Sequence, residues 1–135
     1  MKNIILSLSV IAILAVPSCG EITAQENNDN KIEVLSSKDF KSKLAGLKDY
    51  QLIDVRTPAE YRECHATPAR HVPFDSLDPK TIMASRNGSH KAPLYIICQS
   101  GTRAQKACEK FYTLGHTQIV NVVGGTQPWQ EGDCQ

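Results

Sequence analysis

"LYIICQSGTRA", residues 94–104, runs four apolar residues into a cysteine, then small polar residues, then an arginine. A continuous apolar run suits a strand buried on both faces, as in a parallel sheet. Beyond the loop, Ala104, Ala107, Cys108, Phe111 and Leu114 recur at helical spacing, with Gly115 placed to cap the end. The stretch therefore predicts a buried strand, a tight loop and a helix with one buried face.

The same grammar repeats on either side. "YQLIDV", residues 50–55, is a second apolar run, and it ends in Asp54 with Arg56 just beyond. A helix follows at "TPAEYRE": Thr57 can cap, Pro58 suits the first turn, and Glu60 completes a capping box. Upstream, "KIEVLSS" predicts a short strand with Ile32 and Val34 on one face, followed by a helix carrying Phe40, Leu44 and Leu47. Between the apolar runs, an extended piece near His71–Phe74 precedes a short helix at "DPKTIMASR". "TQIVNVV" is a last strand, and "GGTQPWQEG" is a turn with a short terminal helix. Alternating strands and helices predict an α/β domain with a mostly parallel sheet and ligand chemistry beyond the carboxyl ends of its strands.

The first residues read differently. Lys2 precedes an apolar stretch from Ile4 to Val16, which has the length of a signal-peptide core rather than a membrane span. "VPSC" then resembles a lipoprotein signal, with Cys19 as the lipidated first residue, although Pro17 departs from that pattern. Ordinary signal cleavage and an uncleaved anchor are the alternatives. The expected organisation is a signal peptide at 1–18, a polar tether at 19–31 and a folded domain at 32–135, exported and held at a membrane only through lipid.

With 135 residues, the chain suits one domain. A net charge of +1, one Trp and no basic cluster argue against nucleic acid as a partner. The five cysteines, Cys19, Cys64, Cys98, Cys108 and Cys134, include no CxxC and no paired metal spacing, so no metal site is expected, and nucleophilic chemistry at a cysteine needs no organic cofactor.

Cys98 is the candidate nucleophile. The thiolate is the reactive form of cysteine. At a strand-to-helix turn it meets backbone N–H groups and the positive end of a helix dipole, both of which favour the anionic sulfur. Gln99, Ser100, Gly101 and Thr102 are small or flexible enough to curl around it, and Arg103 adds a cation suited to an oxyanion. Cys108, on an apolar helix face, reads as core.

"LIDVRTPAEYRE", "ICQSGTRA" and "VVGGTQPW", in this order and spacing, resemble a single-domain rhodanese over residues 32–132. The resemblance implies a parallel sheet of about five strands, with helices on both faces, and transfer of sulfane sulfur through a cysteine persulfide. It implies that Cys98 is catalytic, that Cys98–Arg103 is the active-site loop, and that Asp54 and Arg56 support it. The substrates implied are a sulfur-containing anion, such as thiosulfate or polysulfide, and an acceptor such as cyanide, a small thiol or a protein. Related cysteine phosphatases carry one more residue between cysteine and arginine than the four found here. A phosphatase or arsenate-reductase-like activity is accordingly the weaker alternative, and a sulfur-carrier module without turnover is the stronger one.

The chain also departs from the pattern. Where the family usually has Gly-His-Ile-Pro-Gly-Ala, "CHATPA" places Cys64 for glycine and keeps His65, which reads as a backbone anchor along with His71 and His116. Cys64 and Cys134 are additions. They fit a disulfide in an exported protein, a thiol that resolves a persulfide, or two unrelated thiols.

Overall fold

The computed structural model describes residues 32–86 and 92–130. The predicted signal peptide, the tether and Cys134 lie outside these residues.

Five strands form one sheet: β1 (Glu33–Ser36), β2 (Gln51–Asp54), β3 (Arg70–His71), β4 (Leu94–Ile97) and β5 (Ile119–Val123). Their order is β1-β5-β4-β2-β3, and every pairing is parallel. The helices are α1 (Ser37–Leu44), α2 (Pro58–Glu63), α3 (Pro79–Ala84), α4 (Thr102–Tyr112) and α5 (Gln127–Gln130). A parallel order needs a crossover between paired strands, and the helices supply these.

The β4 side chains alternate between two cores. Leu94 and Ile96 face a cluster with Ile82 and Met83 of α3 and Ala104, Ala107, Cys108 and Phe111 of α4. Tyr95 and Ile97 face a second cluster with Phe40, Ala66 and Trp129, flanked by Tyr61. Helices thus cover both faces, which explains why β4 is an unbroken apolar run.

Local signals set the helix ends. Ser36 caps α1 through the Asp39 N–H, and Thr57 and Glu60 form the expected capping box on α2. Asp78 caps α3. At the end of α4, Gly115 takes φ 84°; its N–H donates to the Tyr112 carbonyl, and the His116 N–H donates to the Phe111 carbonyl. That is a Schellman-type closure.

Three sequence expectations change. The helix read through Leu47 ends at Leu44, and Leu47 packs against the second core from beyond it. Leu114 does not continue the buried face of α4 but is 45% exposed, because the helix ends at Tyr112 and the closing turn swings it outward. Val34 is 53% exposed, because β1 is an edge strand. Ile32 packs on the α3/α4 side and Leu35 on the opposite side.

Candidate active site

Parallel strands bring Asp54, Cys98 and Val123 to one end of the sheet, since β2 and β5 flank β4 in register. The loop from Cys98 to Gly101 crosses this end and feeds α4.

Cys98 is fully buried and free. Its Sγ accepts from the Gly101 N–H at 3.1 Å and from the Ala104 N–H at 3.3 Å. The loop therefore curls around the sulfur as expected, but one of its two donors, Ala104, lies beyond Arg103, inside the first turn of α4. Two aligned N–H dipoles at a helix start stabilise negative charge on the sulfur or on an atom attached to it.

Gly101 permits this curl. It sits at φ 94°, and a Cβ there would lie 2.7 Å from Val123 Cγ1. Gly125, at φ 68°, lets the chain after β5 pass beneath the loop; a Cβ there would lie 2.2 Å from the Gln99 carbonyl oxygen. Both positions combine left-handed backbone with close approach, which only glycine tolerates. From below, the buried Asn121 donates its Nδ2 to the Gly101 carbonyl at 3.4 Å and to Gln105 Oε1 at 3.0 Å. Asn121 reads as part of a strand in "TQIVNVV", and its amide is the one polar interruption that could have marked it.

Asp54 and Arg56 form a buried pair at 2.7 Å. Arg56 Nη2 also donates to the Cys64 carbonyl at 2.6 Å, and Nη1 to Thr126 Oγ1 at 3.2 Å. One guanidinium thus joins β2, the segment after α2 and the segment after β5. Its planar fork suits this task, and full pairing compensates the cost of burying the charges.

Arg103 does not stand open to the loop. It binds Glu60 through both terminal nitrogens, at 2.6 and 2.8 Å. Glu60 read as a capping residue alone; it does both jobs, accepting from the Thr57 N–H at 2.9 Å as well. The hydrogen bonds from Arg103 hold the Glu60 carboxyl well below the usual carboxylate range, with Thr57 adding to the effect. The Arg103 guanidinium is in turn raised by Glu60, with smaller contributions from Cys98 and Asp54.

His65 and His71 anchor backbone, whereas the His116 ring meets Phe111 edge-on at 6.3 Å. His65 Nδ1–H donates to the Tyr61 carbonyl at 2.9 Å, and His71 Nε2–H donates to the Arg56 carbonyl at 3.0 Å. Both rings stack on Tyr61, at 3.8 and 4.3 Å. Cys108 is buried among apolar neighbours, and burial pushes its thiol up to about 12. Among the described residues, no cluster has the makings of a metal site. No described helix is long and apolar enough to cross a membrane.

A recess of about 350 Å³ opens beside the loop, lined by Arg56, Glu60, Glu63, Cys64 and Gln99. Cys64 is disulfide-bonded. Cys98 and Cys108 are free, and Cys19 and Cys134 lie outside the described residues.

A family model described as Rhodanese-like domain matches residues 36–132. YrkF of Bacillus subtilis, named for a proposed sulfur-carrier role, is 28% identical over 102 residues, covering 76% of this chain and 53% of YrkF. This chain thus spans about half the length of that relative. A sulfurtransferase of Allochromatium vinosum is 26% identical over 98 residues, covering 73% of this chain and 88% of the relative. The crystal structure of a rhodanese-like domain protein from Staphylococcus aureus aligns with a TM-score of 0.60 and 25% identity, over 77% of this chain and 97% of that one.

Proposed function

The chain belongs to the rhodanese-like domain family, and on that footing we propose that it is a sulfurtransferase that carries sulfane sulfur on Cys98. The observation that carries this reading is the pair of N–H groups, from Gly101 and Ala104, aimed at one buried sulfur.

In the first half-reaction, the Cys98 thiolate attacks the outer sulfur of a donor such as thiosulfate. A new S–S bond forms, the donor's S–S bond breaks, and sulfite leaves with the bonding pair. In the second, cyanide or a thiolate attacks the terminal sulfur of the persulfide, and Cys98 departs as thiolate. The two N–H groups receive the anionic sulfur at both stages without reorganising. Arg103, tied to Glu60, acts in this scheme by fixing the first turn of α4 and by its field, rather than as a free hand for the substrate.

Intact mass after exposure to thiosulfate tests this. One added sulfur, roughly 32 Da, that dithiothreitol removes and Cys98→Ser lacks, is the expected result for a cysteine persulfide. No adduct from either thiosulfate or polysulfide overturns it. A second reading, a carrier that hands sulfur to a partner protein without turning over small acceptors, draws on the likeness to YrkF. A stable adduct that cyanide does not discharge would favour it.

We also propose that the protein works outside the cytoplasm, on the periplasmic side, tethered by lipid at Cys19. The signal-like sequence supports this, and so does the disulfide at Cys64, since structural disulfides persist in oxidising compartments.

A further inference from the structure

Among the described residues two arginines are buried, and only one has a counter-charge. Arg56 is paired with Asp54, whereas Arg86, equally buried at 2% exposure, meets no carboxylate there. The Arg86 Nη2 donates to the Ala92 carbonyl and its Nη1 to Met83 Sδ at 3.5 Å, both uncharged acceptors. Its Nε is buried and has no hydrogen-bond partner. Arginine stays charged in proteins and is almost never fully buried unless paired. Burial alone shifts this guanidinium, and shifts it down, whereas Arg103 is raised by Glu60.

Arg86 lines a recess of about 170 Å³. Its other walls are Met83 of α3 and the segment from Gly115 to Ile119, which joins α4 to β5. Along that segment His116, Thr117 and Gln118 bring an imidazole, a hydroxyl and an amide, all able to donate to an anion. One water takes about 30 Å³ of liquid, so the recess has room for an ion of about five heavy atoms. It falls short of the range of roughly 300–1,000 Å³ that organic ligands occupy.

We infer that this recess binds a small inorganic oxyanion, of sulfate or phosphate chemistry, with Arg86 as its counter-charge and His116, Thr117 and Gln118 as its polar wall. The planar guanidinium, with its Nε–H unused, suits an oxyanion better than a point charge would.

The recess lies away from the cysteine loop. Ala92 and Gln118 precede β4 and β5, the Leu94 N–H donates to the Gln118 carbonyl at 2.9 Å, and Cys98 follows the other end of β4. The four residues of β4 separate the two ends by about 13 Å. An anion here therefore leaves Cys98 untouched and ties the end of α3 to the start of β5. Because it binds the folded chain, it raises stability by mass action. The inference does not depend on the sulfur-transfer reading.

The test titrates sulfate, and separately phosphate, into the full chain, with chloride holding the ionic strength constant, and follows it by two-dimensional NMR. The Arg86 Nε–H and the amides of Thr117 and Gln118 should shift saturably with one or both anions. A response to sulfate alone marks a sulfur oxyanion as the ligand, and a response to phosphate alone marks a phosphate. Arg86→Met should weaken the binding by about tenfold or more, the worth of a charged hydrogen bond. Its melting temperature should also rise less with sulfate than that of the wild type, a comparison that cancels the general stabilising effect of the salt. No saturable shift at these three groups overturns the inference. So do shifts confined to Gly101 and Ala104, which place the anion at the Cys98 loop, and equal binding by wild type and Arg86→Met. If Arg86→Met does not fold, the wild-type titration decides alone.

Discussion

Glu60 receives both terminal nitrogens of Arg103 while it caps its own helix through Thr57. One carboxylate therefore welds the first turn of α2 to the first turn of α4, and α4 begins at the loop that holds Cys98. The depressed carboxyl has a consequence for stability against pH. A carboxyl whose folded value lies below its unfolded value, near about 4.3, adds stability that is fully present above that unfolded value. The contribution fades as pH falls below it toward the folded value. Glu60→Gln should lower stability at neutral pH by about 1 kcal/mol, a modest figure because the pair is partly exposed. Chemical denaturation at a series of pH values checks this: the gap between wild type and variant should narrow below about pH 4.

Gly101→Ala should damage the loop in two ways at once. The left-handed backbone costs about 1–2 kcal/mol for a residue with a Cβ, and the new methyl meets Val123. Thermal melting should fall by several degrees. Sulfur loading, read by mass, should fall further still, since the Gly101 N–H is one of the two donors to Cys98. The double variant with Val123→Ala should recover part of the stability, because it removes the contact and leaves the backbone cost.

Arg56→Met should be the most destabilising of the substitutions considered. It leaves Asp54, which is fully buried, with no cation, and breaking a buried pair from one side costs about 3–5 kcal/mol. It also frees the Cys64 carbonyl and the Thr126 hydroxyl. Denaturant titration gives the cost, and Asp54→Asn combined with Arg56→Met should be less damaging than the sum of the two single changes.

Cys108 should resist alkylation in the native protein. Its thiol is both inaccessible and pushed up to about 12, so iodoacetamide at about pH 8 meets almost no thiolate there. Modification after denaturation, located by peptide mapping, is the expected contrast. Native modification of Cys108 would show that the α4 core opens on the time scale of the reaction.

The elements were readable where one local rule dominated. The unbroken apolar run of β4, the spacing of Ala104, Ala107, Cys108 and Phe111, and the Thr57–Glu60 box each rest on a few neighbouring residues. At Leu114 the periodic rule outlasts the helix: Gly115 closes α4 as expected, but the turn it closes starts two residues earlier. The loop at 98–103 was readable as a cradle because cysteine, glycine and a helix start adjoin in sequence.

The partners across the fold were another matter. Local pattern along the chain was enough to predict strand, loop and helix, and the parallel sheet that must place Asp54 and Cys98 at one end. It held nothing that pairs Arg103 with Glu60, forty-three residues apart, or sets Asn121 under Gly101, or joins Cys64 to Thr126 through Arg56. Those contacts depend on the strand order, which puts β5 and β2 on either side of β4. Backbone patterns are short-range and repeat along the chain; a charged side chain chooses among whatever groups packing brings within about 3 Å, and that choice exists only once the chain has folded.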